Sequence, residues 1–165
     1  MSQALTIKCL ILDVDGVLTD GTIWITEQGT EIKRFHIHDG VGIKNLQKAG
    51  IEVAIISGRS SASVTRRMAE LQIQHVYQGC TDKLAVFNQL LKQLNIAALQ
   101  TAYMGDDLPD IPVMKAVGLS IAVANACQEV KAVAHWHTTK KGGEGAVREI
   151  CDRLLAYSCL EIPRL

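Results

Sequence analysis

Short runs of apolar, β-branched residues alternate along this chain with longer stretches in which apolar positions recur at helical spacing. That alternation predicts βα units and an α/β fold whose parallel sheet is covered by helices on both faces. The strands fall at residues 7–12, 52–56, 75–77, 101–104 and 119–123, and the helices at 41–49, 60–71, 83–94, 108–116 and 145–155. Apolar runs without alternation, such as residues 9–12 and 53–56, are the pattern of strands buried on both sides. Gly50, Gly79 and Gly118 punctuate the connections.

Between residues 22 and 37 the pattern changes. Apolar residues at Ile23, Ile25, Ile32, Phe35 and Ile37 flank a turn near Gln28 and Gly29, which predicts a β-hairpin inserted after the first strand. Trp24 adds an aromatic ring that either packs on the chain's own sheet or meets another subunit. There is no repeat and no low-complexity stretch, and residues 157–165, with Pro163, read as a tail that needs a partner to hold it. The length of 165 residues suits one domain, 1–165, with room for a hydrophobic core but not for a second domain.

Charge narrows the classes of function. Seventeen Lys and Arg balance seventeen Asp and Glu, so bulk electrostatics recruits neither nucleic acid nor an anionic membrane. Cys9, Cys80, Cys127, Cys151 and Cys159 are odd in number and form no C-x-x-C, the usage of a reduced, cytoplasmic chain in which thiols serve as small hydrophobes. No signal peptide or membrane-spanning run is read in the sequence, because the first apolar run is cut off at Asp13.

Ligands of an open parallel sheet bind at the carboxyl ends of its strands. There the sequence places Asp13 and Asp15 after the first strand, Ser57, Gly58 and Arg59 after the second, Lys83 after the third and Asp106 and Asp107 after the fourth. The spacing of Asp13 and Asp15 lets both carboxylates face one side while the chain is extended, and Gly16 permits the exit. With Asp106 they form an oxygen-donor cluster without His or Cys, suited to a hard cation such as Mg²⁺. Taken alone, Asp-x-Asp-Gly is equally an ordinary strand-ending turn. The conjunction with a hydroxyl and backbone N–H groups at Ser57 and a cation at Lys83 points to phosphoryl transfer.

These residues, DVDG at 13–16, SGR at 57–59, Lys83 and GDD at 105–107, stand in the order of the four motifs of the haloacid dehalogenase-like phosphatases, which the chain resembles. More narrowly, DVDGVLTDG at 13–21, DGVGI at 39–43, ISGR at 56–59, GDDL at 105–108 and the segment 142–149 resemble the 3-deoxy-D-manno-octulosonate 8-phosphate phosphatase branch, over residues 10 to 155. Val17 follows the first motif as it does in that branch.

The resemblance implies a Rossmann-like fold with no cap domain, and a Mg²⁺-dependent phosphomonoesterase acting on a phosphorylated keto-sugar acid in lipopolysaccharide precursor synthesis. It implies Asp13 as nucleophile, forming an aspartyl phosphate, and Asp15 as general acid and base. Mg²⁺ falls to the Asp13 carboxylate, the Asp15 backbone carbonyl and the Asp106 carboxylate, and the phosphate oxygens to Ser57 and Lys83. Asp107 and Asp110 are left to position Lys83 or metal-bound water, or equally to sit as helix-start carboxylates. Substrate contacts map onto Asp15, His36, Ile37, His38, Asp39, Gly40, Lys44, Gly58, Arg59, Arg67 and Lys83. His38 stands where the family commonly has Arg, a departure that bears on the sugar rather than on the reaction. Cap-free members are homotetramers whose hairpins pack together and whose tails reach a neighbouring site.

Competing readings are a nonulosonate 9-phosphate phosphatase, a phosphoacceptor signalling domain, and a catalytically weak regulatory or oligomerising module. The pairs His36/His38 and His135/His137 bring no Cys and point more to chance than to zinc. The glycine run 142–145 reads as a loop, with an anion cradle as the second reading.

Overall fold

The computed structural model describes residues 6–157. In chain order the strands are β1 (Cys9–Leu12), β2 (Trp24–Ile25), β3 (Glu31–Ile32), β4 (Glu52–Ile56), β5 (His75–Tyr77), β6 (Thr101–Gly105), β7 (Leu119–Ala122) and β8 (Trp136–His137). The helices are α1 (Ile37–Lys48), α2 (Ala62–Glu70), α3 (Lys83–Leu94), α4 (Ile111–Met114), α5 (Gln128–Val133) and α6 (Ala146–Tyr157).

Six strands form one parallel sheet in the order β5-β4-β1-β6-β7-β8. The chain winds outward from β1 to β4 and β5, then returns to the other side of β1 for β6, β7 and β8, which opens a crevice at the carboxyl ends of β1 and β6. The register brings Leu12 level with Ile55 and Met104, so Asp13, Ser57 and Asp106 leave the sheet side by side. The Asp13 N–H, bonded to the Met104 carbonyl at 3.1 Å, carries the pairing one residue beyond the strand. Behind this edge Leu10, Ile11, Leu12, Ile55, Ile56, Phe87, Tyr103 and Met104 are fully buried, which accounts for the unbroken apolar runs.

The fold and the hairpin match the sequence reading, and three details differ. Helix α1 starts at Ile37 rather than at residue 41, capped by the His36 ring, whose Nδ1 accepts the His38 N–H at 3.2 Å. Gly40 and Gly42 argue for a loop by propensity, but each lacks the Cβ that would collide with Arg67 from α2 or with Cys151 and Arg148 from α6, so packing overrides propensity. The expected helix 108–116 is a 3-10 turn, Leu108–Asp110, followed by the four-residue α4. Helix α5 and strand β8 escaped the pattern because each is too short to show a period.

The hairpin pairs Trp24 with Ile32 and Ile25 with Glu31, and turns through Gly29 at φ +79°. Ile37 belongs to α1 instead. Trp24 and Ile25 are 62% and 67% exposed and do not pack on the chain's own sheet, whereas Phe35 packs against the core. The stretch expected to be a tail lies, after Tyr157, outside the described residues, as does Cys159. No helix among the described residues is long and apolar enough to cross a membrane.

Candidate active site

A cleft of about 700 Å³ opens at the carboxyl end of the sheet. Asp13 and Asp15 line it from the turn after β1, Ser57, Gly58 and Arg59 from the end of β4, Lys83 from the start of α3, and Asp106, Asp107 and Asp110 from the turn after β6.

At its floor lies a buried chain of ions. The Lys83 ammonium sits 2.9 Å from Asp13 Oδ1 and 2.7 Å from Asp110 Oδ1. Lys83 opens α3, where the helix dipole disfavours a cation, and the two carboxylates offset that cost. Burial works against its charge, yet Asp13 and Asp110 outweigh it and hold the ammonium's pKa above the ordinary lysine value. Asp110 is the hub. Its Oδ1 also accepts the Tyr103 hydroxyl at 2.7 Å, and its Oδ2 accepts the N–H groups of Asp106 and Asp107 at 2.9 and 3.2 Å. Asp110 thus both positions Lys83 and acts as a helix-start carboxylate that caps the turn at Leu108–Asp110.

Oxygens of Asp13, Asp106 and Asp110 lie within 4.8 Å of one another, the one such group of three ligand-bearing side chains among the described residues. Neither histidine pair joins a group of this kind. Because both Asp110 oxygens are engaged with protein donors, Asp13 and Asp106 are the carboxylates left to hold a cation. Burial and then repulsion from Asp110 push the Asp13 carboxyl up to about 6 despite Lys83. Burial, then Asp13 and Asp110, push Asp106 up to about 8. Hard oxygen donors with excess negative charge and no nitrogen or sulfur fit Mg²⁺.

Glycines bring this floor together. Gly16, at φ +87°, has no Cβ, and one built there would overlap Asp106 Oδ2. A Cβ on Gly142 would overlap the Gly16 carbonyl. Asn125 joins the two loops, donating to Gly16 O at 3.3 Å and accepting from Gly142 N at 2.7 Å. The glycine run is therefore a packed brace behind the Asp13 turn rather than an open cradle.

Ser57 is buried at the cleft wall, with its N–H spent on the Tyr77 carbonyl at 2.9 Å. Its hydroxyl is what remains for a ligand, which corrects the expectation that its own N–H serves the phosphate. Cys80 also lines the cleft, and burial raises its thiol pKa.

The hairpin adds a second ionic group above the floor. The Lys33 ammonium, 3% exposed in its side chain, is bonded to Asp15 Oδ1 and lies 2.8 Å from Glu31 Oε1. Glu31 also pairs with Arg59, whose Nε is 4.0 Å from Asp15 Oδ2. Sequence reasoning passed over Glu31 and Lys33. The signal was their spacing of two, which puts both on the hairpin face opposite Ile32.

The remaining mapped contacts do not line the cleft within one chain. Ile37 and His38 are exposed at the start of α1, where the His36 ring caps the helix. The Asp39 carboxylate is buried and accepts the Arg148 N–H at 2.9 Å, capping α6. Gly40 packs under Arg67, Lys44 donates to Gln72 at 2.6 Å, and Arg67 pairs with Glu70 at 3.3 Å.

A family model for haloacid dehalogenase-like hydrolases matches residues 75–150. The chain is also 51% identical over 155 residues to 3-deoxy-D-manno-octulosonate 8-phosphate phosphatase KdsC of Escherichia coli strain B, covering 94% of this chain and 82% of that protein. The chain belongs to this phosphatase family. Family members of known structure share its fold. The 3-deoxy-D-manno-octulosonate 8-phosphate phosphatase of Yersinia pestis superposes with a TM-score of 0.92 at 48% identity, covering 94% of this chain and 84% of that one. The same phosphatase from Moraxella catarrhalis, solved with magnesium, phosphate and KDO, superposes with a TM-score of 0.89 at 48% identity, covering 91% and 86%.

Proposed function

We propose that this chain is a Mg²⁺-dependent phosphatase that hydrolyses 3-deoxy-D-manno-octulosonate 8-phosphate to the free sugar acid and phosphate, in lipopolysaccharide precursor synthesis. The carrying observation is the Asp13 carboxylate, held by the Lys83 ammonium at 2.9 Å and grouped with Asp106 at the floor of an open cleft.

Asp13 attacks phosphorus through a carboxylate oxygen and forms an aspartyl phosphate while the bond from phosphorus to the sugar oxygen breaks. Asp15 gives that oxygen its proton. Water then attacks phosphorus, its proton returns to Asp15, and the bond to Asp13 breaks to release phosphate. Lys83 and the Ser57 hydroxyl hold the phosphoryl oxygens through both steps. Mg²⁺, held by the Asp13 and Asp106 carboxylates and the Asp15 carbonyl, neutralises charge so that an anionic nucleophile can meet a phosphate dianion. Arg59, half-exposed at the cleft, supplies a cation for the sugar carboxylate, with Gly58 beside it. The further contacts at 36–40, Lys44 and Arg67 lie outside the cleft of one chain, and we place their role in the assembled protein, where a neighbouring copy presents them.

The direct test is phosphate release from 3-deoxy-D-manno-octulosonate 8-phosphate beside a nonulosonate 9-phosphate and simple sugar phosphates, with Mg²⁺ and with chelator. Mg²⁺-dependent preference for the octulosonate is the expected result. Preference for another sugar overturns the substrate and implicates His38, and no turnover of any phosphate overturns the reaction.

Cation binding carries a pH signature. A carboxyl raised by burial favours the folded state below its unfolded value near 4 and loses that advantage as pH rises through its folded value of about 8. Mg²⁺ binds the ionised form and relieves the penalty. The rise in Tm produced by saturating Mg²⁺ is therefore expected to grow between pH 6 and pH 8. Calorimetry at the two pH values checks it, and an equal rise at both would remove Asp106 from the cation site.

The assembly is part of the same reading: a cytoplasmic homotetramer, with each protomer one domain and the hairpins at its centre. The free thiols of Cys9, Cys80, Cys127 and Cys151 and the exposed Ile23, Trp24, Ile25 and Ile32 support it. Trp24→Glu is expected to reduce the mass seen by sedimentation to that of a smaller species. A variant of unchanged mass would remove this face from the interface.

A further inference from the structure

We propose that Lys33 is a positioning residue for Asp15, and that the hairpin, through this one buried ammonium, fixes which Asp15 oxygen exchanges the proton during the reaction. The proposal rests on the reading of Asp15 as the acid and base. Asp15 stands in a turn beyond β1 and keeps about a quarter of its side chain exposed. Among the described residues its carboxylate has one hydrogen bond, from Lys33 to Oδ1. Oδ2 lies 4.0 Å from Arg59 Nε, outside hydrogen-bond distance, and is the oxygen left free to meet a leaving group or a water. A carboxylate on a turn without that tether samples several rotamers, and a proton donor must be placed to within a fraction of an ångström to be effective.

Lys33 is suited to this task and to no direct contact with substrate. Its side chain is 3% exposed and does not line the cleft, so it acts through Asp15. Glu31 holds it from the other side at 2.8 Å, and the fields of Asp15 and Glu31 outweigh burial and keep it charged. Arg59 completes a group of two cations and two carboxylates that is neutral as a whole. Arg59 is half-exposed and lines the cleft, whereas Lys33 is enclosed. Lys33 reaches Asp15 from the position just after β3, next to the exposed Ile32 and its strand partner Trp24.

Leaving-group dependence separates this role from a merely structural one. The sugar leaves as an alkoxide that needs a proton, whereas p-nitrophenolate leaves from p-nitrophenyl phosphate without one. Lys33→Met is expected to lower kcat/KM, which reports only as far as aspartyl-phosphate formation, by about 10²-fold on the sugar phosphate, at the low end of what a general acid supplies, and far less on p-nitrophenyl phosphate, whereas the water step shared by both esters can lower kcat on both alike. Asp15→Asn should discriminate in the same sense and more strongly, and adding Lys33→Met to it should cost nothing further. Glu31→Gln leaves Lys33 in place with one partner fewer and should show the same discrimination more weakly, which keeps the test open if Lys33→Met folds poorly. Equal losses of kcat/KM on both esters overturn the role of Lys33 while Asp15→Asn still discriminates. An Asp15→Asn enzyme that loses the same kcat/KM on both esters overturns Asp15 as the acid and this proposal with it.

Discussion

Asp13→Asn is expected to lower kcat for phosphate release by roughly 10⁴-fold or more, because it deletes the attacking atom rather than a contact to it. The amide is close in shape and does not attack phosphorus. It also removes one anion from a group in which burial, and then repulsion from Asp110, already push Asp13 up to about 6, while Lys83 keeps its partner in Asp110. The variant should therefore be at least as stable as the parent without Mg²⁺, and bind the cation more weakly. Steady-state kinetics beside calorimetry read both effects. A brief incubation with substrate, quenched in acid, should leave a phosphorylated chain in the parent and none in the variant. A variant that keeps more than about a hundredth of the parent's kcat would point to a different nucleophile.

Lys83→Met has the second large effect, and it falls on stability as well as on rate. Lys83 is 7% exposed, and its ammonium is shared by two carboxylates that are themselves almost wholly buried. Removing one partner of a buried ion pair strands the other, at a cost of about 3–5 kcal/mol. At 2–4 °C per kcal/mol for a chain of this size, Tm should fall by roughly 6–20 °C. Here two carboxylates are stranded, and Asp110 also anchors the 106–107 turn through two N–H groups, so the loss reaches the cation site. Mg²⁺ should restore part of the lost Tm by supplying the missing charge. A drop of less than about 1 kcal/mol would mean that the pair is solvated and the floor of the cleft is not closed.

Most of the floor was legible in the sequence. Asp13, Ser57, Lys83 and Asp106 each follow a strand or open a helix, and in a parallel sheet the carboxyl ends of the strands lie together, so positions far apart in the chain converge by topology alone. The unbroken apolar runs of β1 and β4 told which strands are central. Less legible was the work of Asp110 and Tyr103. A Tyr inside an apolar strand looks like core, and only the fold aims its hydroxyl at Asp110. Also illegible were the cap that the buried Asp39 carboxylate makes for α6 and the close packing at Gly40, which depend on which helix lies alongside. Glu31 and Lys33 were hidden because a two-residue strand has too little pattern to show which face turns inward.

What the sequence by itself determined is the architecture, the order of the motifs and the hard-oxygen chemistry of the cleft, because these follow from hydrophobic periodicity and from residue type at strand ends. The tertiary structure alone decided which charges are paired, which carboxylates of the cluster remain free for a cation, and that a hairpin lysine tethers Asp15. The reason is range. Periodicity is a local property of the chain, whereas ion pairing inside a protein depends on distance and burial, and Lys33 meets Asp15 across 18 positions of sequence, as Lys83 meets Asp110 across 27.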